Sequence, residues 1–535
     1  MTTMPTPSKI IYHPLLISLY PVLVVYSGNV AKVSPSDLLG PTLVVLAVGV
    51  AIWVVAGLVF RSVAKSALVA SLSVVVFFLY GHFYDAFIKV CLVGHYYTLF
   101  PWLVLYVGGM ALIAILKRDS ANHISRVLNA FSLVLVLLTC IPIAKHGLQM
   151  GYAVNHMDNQ ALQDKDNVSD WSRPSEKLVD VYFIFLDGYG REDKLKEFYG
   201  FDNTPFLAGL KAKGFHVASR STCNYTNTFQ SMSATLDMDY PSSDSQSPPI
   251  ENCRVVRLMH ALGYRFVLIP SLYFPMNDYA NADLTVDLGT SPPSELAVNV
   301  WNASLARFIV YPMPIRRAIF LGGGLDIDGC AQFHAHITRQ MEALGDAARI
   351  EGRKFVFAHV NCPHPPFIFQ RDGSLRIEAE AIDFEDNRSN NVWSLREQFV
   401  DQTIHLNRLI NVMVDKILEN SKTPPIIILA GDHGTFASNT RDTLNALPTP
   451  SPAHVRERMA ILFACYAPDA IHHRLYDTIS LVNVFRIVFN EQFGANYPLR
   501  DDRNFWSFTT PAPEVTSLVD PPRNEPTETT TDKRR

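Results

Sequence analysis

The 535-residue chain has no surplus of basic residues: 46 Lys and Arg stand against 50 Asp and Glu, for a formal net charge of −4. Nucleic-acid binding finds no support in that balance, because a polyanion is held by clustered positive charge. No small-residue cleavage site follows the first apolar run, so that run is not a removable signal peptide. No internal repeat is present either, which sets aside stacked-repeat architectures. Charge of any sign is scarce, at 18% of residues against 48% hydrophobic, and it is unevenly placed. Five long apolar stretches occupy residues 10–144, whereas the chain beyond residue 158 reads like an ordinary soluble protein. The asymmetry excludes a purely cytosolic enzyme, and equally a membrane protein without a large soluble part.

The five stretches, 10–28, 41–60, 66–84, 98–116 and 127–144, are each close to the roughly 20 residues that cross a hydrocarbon core as a helix. The second, third and fourth contain no charged residue. The first contains Pro14 and Pro21, which membrane helices tolerate better than soluble ones do. Arg61 and Lys65 lie between the second and third stretches, and Lys117, Arg118 and Arg126 between the fourth and fifth. Basic loops stay on the cytoplasmic side. The N-terminus is therefore expected inside and everything after the fifth crossing outside, which in a Gram-negative bacterium is the periplasmic face of the inner membrane.

Beyond the membrane the hydrophobic period changes. Runs at 179–186, 265–269, 354–360, 425–430 and 459–465 are short and rich in β-branched and aromatic residues, as buried strands are. Helical patterns at 203–213, 331–348 and 392–420 lie between them. The expected fold is five N-terminal transmembrane helices followed by an α/β domain with a mostly parallel sheet. Its divisions are a membrane domain at 1–145, a polar juxtamembrane linker at 146–178, an extracytoplasmic catalytic domain at 179–510, and a Pro-, Thr- and acid-rich disordered tail at 511–535.

In such sheets ligands bind beyond the carboxyl ends of the strands. The first strand runs into Asp187-Gly188-Tyr189-Gly190-Arg191, a late one into Gly431-Asp432-His433-Gly434, and one between them into Asn361-Cys362-Pro363-His364. One carboxylate at one strand end and an Asp–His pair at another supply the oxygen and nitrogen donors that a divalent cation such as zinc or manganese takes. A fourth segment, Asn224 to Ser231, precedes a helix and offers two threonines, Thr226 and Thr228. A hydroxyl at a helix start lies where an anion is favoured, and metal coordination would activate it as a nucleophile. A plain N-cap is the other reading of either threonine.

These residues together resemble the alkaline phosphatase/sulfatase superfamily, and in particular its membrane-anchored phosphotransferases, such as phosphoethanolamine transferases and lipoteichoic acid synthases. The resemblance implies that Asp187, Thr228, Asp432 and His433 hold one metal ion, zinc or manganese, although those transferases often carry Glu at the first position. It implies a nucleophile that forms a phosphothreonine. In related enzymes that residue stands thirteen positions before the Pro of a Leu-Tyr-Pro-like ending; counting back from Asp239-Tyr240-Pro241 gives Thr228, with Thr226 as the alternative. His364 resembles the His that contacts the substrate phosphate, and Arg191, Asn224 and Thr226 are the expected substrate-binding residues. The implied reaction moves a phospho-head-group from a membrane phospholipid donor to an envelope glycan or lipid acceptor. A phosphatase or phosphodiesterase with the same site is the nearest alternative, and a non-catalytic envelope scaffold the more distant one. Neither threonine opens the C-x-P-x-R-type motif of sulfatases, so sulfate-ester hydrolysis is disfavoured. Of the seven cysteines, five fall in the outer domain, where an oxidising compartment permits the pairs Cys223–Cys253 and Cys330–Cys362.

Overall fold

The computed structural model describes residues 10–30, 33, 35–91, 95–169, 171, 179–241, 253–271, 282–289, 295–305, 327–376, 393, 395–438, 450–507 and 512–519. The chain divides into two compact units, residues Met1–Met157 with Ser291–Gly329, and residues Asp158–Thr290 with Cys330–Arg535.

The first unit begins with five helices, α1 (His13–Gly28), α2 (Leu39–Phe60), α3 (Val63–Cys91), α4 (His95–Ile115) and α5 (Arg118–Ser169). Three helical segments, Leu39–Phe60, Val63–Phe83 and Arg118–Leu148, are long and apolar enough to cross a membrane; α1 and Leu99–Ile115 are shorter apolar helices. On Leu39–Phe60 and Arg118–Leu148 few side chains are buried, as on lipid-facing helices, and Leu58 is 75% exposed. The start of α1 is satisfied from α5. Asn129 Oδ1 accepts the backbone N–H groups of Tyr12 and His13 at 3.0 and 2.9 Å, and its amide donates to Ile10 O at 2.9 Å. One side chain thus replaces the partners that the first turn of a helix lacks, which matters most where water is excluded.

Two findings here differ from the sequence expectation. The fifth helix does not stop at residue 144. It continues to Ser169 and so takes up most of the expected linker, because no Pro follows Pro142 until Pro174. At 52 residues it is about 78 Å long at 1.5 Å per residue. The second difference is α10 (Glu295–Asn302), expected in the outer domain but belonging to the membrane unit. Its Leu296 and Val300, four apart and so on one helix face, are buried with Val22 and Tyr26 of α1 and Val74 and Phe78 of α3. Leu305 N then donates to Phe77 O at 2.7 Å.

The second unit is built on β1 (Val181–Leu186), α6 (Glu192–Tyr199), α7 (Thr204–Ala212), β2 (His216–Val217), α8 (Thr228–Asp237), α9 (Arg254–Ala261), β3 (Arg265–Ile269), β4 (Leu284–Thr285), α11 (Ile327–Asp346), β5 (Lys354–Val360), α12 (Arg396–Asn420), β6 (Ile426–Gly431), α13 (Pro452–Met459), β7 (Phe463–Tyr466) and α14 (Val484–Phe493). The sheet order is β2-β7-β6-β1-β5-β3-β4. β1, β3, β4, β5 and β6 run parallel, and β7 pairs antiparallel with both β6 and β2. Central β1 reads Val-Tyr-Phe-Ile-Phe-Leu and is buried at every position, as a strand covered on both faces must be. Its registers align three strand ends: Leu186 lies opposite Val360 on one side and Gly431 on the other. The residues that follow, Asp187, Asn361 and Asp432, are brought to one edge by this pairing alone.

The tail is not disordered throughout. Val515 N donates to Asn504 O at 2.8 Å and Trp506 N to Pro513 O at 2.9 Å, so residues 512–519 fold back onto the segment around Trp506. Val515 and Val519 are the buried residues that hold this return; residues 520–535 lie outside those described. The cysteine pairs do not form either. Cys223 and Cys362 are buried free thiols, and Cys223 Sγ instead lies 3.7 Å from Arg458 O and 3.6 Å from Met459 Sδ. The close approach of the Cys223 segment to the end of α13 turns the thiol inward, away from any disulfide.

Candidate metal centre and nucleophile

Asp432 is fully buried and its two oxygens have different fates. Oδ1 accepts the backbone N–H of Gly188 and its own neighbour His433, each at 2.8 Å. That bond staples the loop after β6 to the loop after β1. Oδ2 is buried with no hydrogen-bond partner, and so is Oδ1 of Asp187; the other Asp187 oxygen accepts from Asn361 Nδ2 at 3.3 Å. A buried carboxylate oxygen without a donor is costly, and here two of them share one pocket.

Three imidazoles complete it. His433 Nδ1 bonds Gly434 O at 3.0 Å and His364 Nδ1 bonds Pro365 O at 2.7 Å; a carbonyl only accepts, so both Nδ1 atoms carry the proton. His359 Nδ1 lies 3.0 Å from Ser271 Oγ, whose own proton goes to Asn361 Oδ1 at 2.8 Å, so His359 Nδ1 is again the donor. All three Nε2 atoms are therefore lone pairs. His433 Nε2 lies 3.5 Å from Asp187 Oδ1 and 3.4 Å from Asp432 Oδ2; His359 Nε2 lies 3.7 Å from Asp187 Oδ2 and 4.0 Å from Asp432 Oδ2. Lone pairs facing carboxylate oxygens repel unless a cation lies between them. Two tetrahedral zinc ligands at bond lengths of 2.0–2.1 Å are separated by about 3.3 Å, close to the shortest of these distances. The sets Asp187, His364, His433 and Asp187, His359, Asp432 each bring one donor atom per residue within 4.8 Å of one another. A divalent cation fits this donor set on geometry and on proton inventory.

The electrostatics agree. Burial raises the Asp187 and Asp432 carboxyls to about 7, with their mutual repulsion adding to Asp432 and the nearby Arg458 opposing both. Burial lowers His359 to about 3 and His364 to about 4, and drives His433 well below its ordinary value. The imidazoles are thus already free of the proton that a metal would displace, whereas the carboxylates are not. Divalent-cation affinity is expected to fall as pH drops below about 7, by about 10- to 100-fold per unit as one or two protons compete. Zinc titration calorimetry in buffers of different protonation heat checks this; affinity independent of pH between about 5.5 and 7.5 would contradict it.

Thr228 is the first residue of α8, capped by Asn227, whose side chain accepts from Gln230 N at 2.9 Å. Its hydroxyl lies beside Asp432, where it opposes the upward shift of that carboxyl. Thr226 lies elsewhere: it is fully buried, and its hydroxyl and backbone N–H are both engaged with Ser507 Oγ, at 2.8 and 3.1 Å. Asn224 is also inward, bonded to Arg503 O at 2.9 Å and to Val482 N at 2.9 Å. Arg191 forms a two-pronged pair with Asp193 at 2.7 and 3.0 Å and reaches Ser221 O at 3.2 Å. The geometry therefore gathers Asp187, Thr228, His364, Asp432 and His433, while Arg191, Asn224 and Thr226 fasten the surrounding loops, because each finds its partners among buried backbone groups or a neighbouring side chain.

Two residues were not foreseen in these places. His359 lies within the apolar run of β5, where a single His reads as core. Arg458 is buried beside both aspartates, yet in Glu457-Arg458-Met459 it looks like a surface helix residue. Gly434 explains why no larger residue follows the Asp–His pair. A Cβ there would run into Glu457 O and lie 2.7 Å from Ala460 O and 3.1 Å from Arg458 O, all of them backbone. Gly434→Ala is expected to cost about 1–3 kcal/mol, read as a lowered thermal midpoint.

No protein-family model matches the chain, nor does any curated protein sequence. Solved structures do match. The full-length integral membrane lipooligosaccharide phosphoethanolamine transferase A from Neisseria meningitidis is 13% identical, with 90% of this chain and 95% of that chain covered, at a TM-score of 0.39. The C-terminal periplasmic domain of EptC from Escherichia coli, in complex with Zn, is 11% identical over 66% of this chain and 90% of that one, at a TM-score of 0.39. The lipoteichoic acid synthase LtaP from Listeria monocytogenes is 13% identical over 64% and 82%, at 0.36.

Proposed function

We propose that the chain is a metal-dependent membrane phosphotransferase that moves a phospho-head-group of phosphoethanolamine or phosphoglycerol type from a phospholipid to an envelope glycan or lipid. The observation that carries the reading is the five-residue cation-type donor set, two buried carboxylates and three imidazoles, with Thr228 at the start of α8 beside Asp432. An amphiphilic donor suits a chain whose first part holds helices long and apolar enough to cross a membrane.

Asp187, Asp432, His433 and His359 would hold one divalent cation, zinc or manganese, which when bound lowers the pKa of the Thr228 hydroxyl and screens the phosphoryl oxygens. Asp432, beside that hydroxyl, would accept its proton. Thr228 Oγ forms a bond to phosphorus while the bond from phosphorus to the donor alcohol breaks; the hydroxyl proton ends on the departing alcohol oxygen. His364, held by Pro365 O through Nδ1, presents Nε2 to the pocket, where it orients the incoming group and, once protonated, delivers the proton. The start of α8 favours the phosphoryl anion. An acceptor hydroxyl then attacks the phosphothreonine, returning Thr228 to its starting state.

Mass spectrometry of envelope lipids and glycans from cells with and without the gene tests the reading. A gene-dependent, phosphorus-containing mass increment on an acceptor is expected, with diacylglycerol as co-product. Release of the free phospho-head-group with no modified acceptor would replace the transferase with a hydrolase, and an unchanged envelope would favour a scaffold.

A further inference from the structure

Arg458, the penultimate residue of α13, turns its side chain into the protein. Its Nε donates to Thr226 O at 3.0 Å and its Nη1 to Gly434 O at 3.0 Å. Thr226 stands two residues before Thr228, and Gly434 two residues after Asp432. A single guanidinium therefore bridges the strand of chain that carries the nucleophile and the loop that carries the Asp–His pair. The backbone of the same short segment closes the arrangement. Gly434 N donates to Arg458 O at 2.7 Å, and Cys223 N to Met459 O at 2.9 Å. The rings of Phe436 and Trp393 lie over the guanidinium at 5.6 and 5.9 Å, and the residue is 6% exposed.

The chemistry of the contact selects arginine. Two carbonyls on different loops need two donors held in a fixed plane, which the guanidinium fork supplies and an ammonium does not. The charge has a second effect, since it opposes the repulsion between Asp187 and Asp432.

We propose that Arg458 is a positioning residue that fixes Thr228 against the Asp432 loop through the carbonyls of Thr226 and Gly434, and that it does not bind the substrate phosphate. The chemical part of this inference rests on Thr228 as the nucleophile. Displacing a reacting atom by about 1 Å costs about 100-fold in rate, so the Thr228 phosphorylation step is where the loss should appear.

The test uses the full chain in detergent, loaded with zinc, and bis(4-nitrophenyl) phosphate as probe. Rapid-quench measurement of the 4-nitrophenolate burst, with mapping of the phosphorylated residue, compares the wild type with Arg458→Lys. The expected result is a burst rate lowered about 100-fold, with zinc stoichiometry unchanged and KM within about twofold. Hydrogen exchange should quicken at 226–231 and 434–438 only. Arg458→Ala should regain at least about tenfold of its rate in low-millimolar guanidinium, because the free ion refills the fork. A raised KM with the burst rate unchanged would mean that Arg458 touches substrate, and would overturn the proposal. Unchanged exchange in both segments would overturn it too. A wild-type burst that labels a residue other than Thr228 defeats the nucleophile assignment instead, and the exchange comparison still decides whether the bridge exists.

Discussion

Thr228→Ala is expected to abolish phosphothreonine formation and to lower turnover by at least about 10³-fold, the scale on which removing an activated nucleophile acts. The fold should survive, because the Thr228 side chain is only partly buried and the cap of α8 belongs to Asn227. Cation binding should weaken only modestly, since Asp187, Asp432, His433 and His359 remain. Thr228→Ser keeps a hydroxyl at the same helix position and should retain a labelled intermediate. Thr226→Ala makes the useful contrast. Its hydroxyl serves Ser507, so its loss should lower stability by about 1–3 kcal/mol, the cost of leaving a buried donor unpartnered, while the intermediate still maps to Thr228. Peptide mapping of acid-quenched protein reads both outcomes. A phosphorylated Thr226 in the Thr228→Ala variant would reverse the two roles.

The second large effect is on the ion itself. Asp187→Asn and Asp432→Asn should each lower zinc affinity by more than about 100-fold, beyond the 10- to 100-fold typical of residues that only support a ligand. The amide keeps the shape but loses the charge, and in Asp432 it must also keep accepting from Gly188 and His433 through Oδ1. The same substitutions should raise the stability of the metal-free protein, because each removes half of a repelling buried pair. Metal competition assays and thermal unfolding in chelator measure the two signs separately. Loss of both affinity and apo stability would mean that the pair is a structural element and not a ligand set.

Much of this centre was legible in the amino-acid order. An apolar run of strand length that ends in Asp or in Asp-His places those groups at the ligand-binding edge of a parallel sheet, and the pairing of Leu186 with Val360 and Gly431 then aligns them. The apolar stretches were equally plain, since absence of charge marks them, although three of the five helices are long and apolar enough to cross a membrane and the other two are shorter. What stayed hidden depends on tertiary partners. Nothing local distinguishes Arg458 from a solvated helix residue, or His359 from a core histidine; only the loops they meet give them a role. Among the described side chains of α10 the buried face is Leu296 and Val300, too small a signal to assign it to the membrane unit. Composition misjudged residues 512–519 because Val515 and Val519 are few among prolines and threonines, yet they are enough to hold a return of chain.

The placement of α10 has a consequence for biosynthesis. The membrane unit is discontinuous: Leu296 and Val300 fill a gap beside Tyr26 and Phe78, yet the ribosome adds them well over a hundred residues after α5 begins. The nascent bundle must therefore wait, with an apolar seam open, while β1 to β4 emerge. A truncation that ends with α5 would leave that seam uncovered, and a fragment started after α5 would carry α10 into water with nothing to cover it.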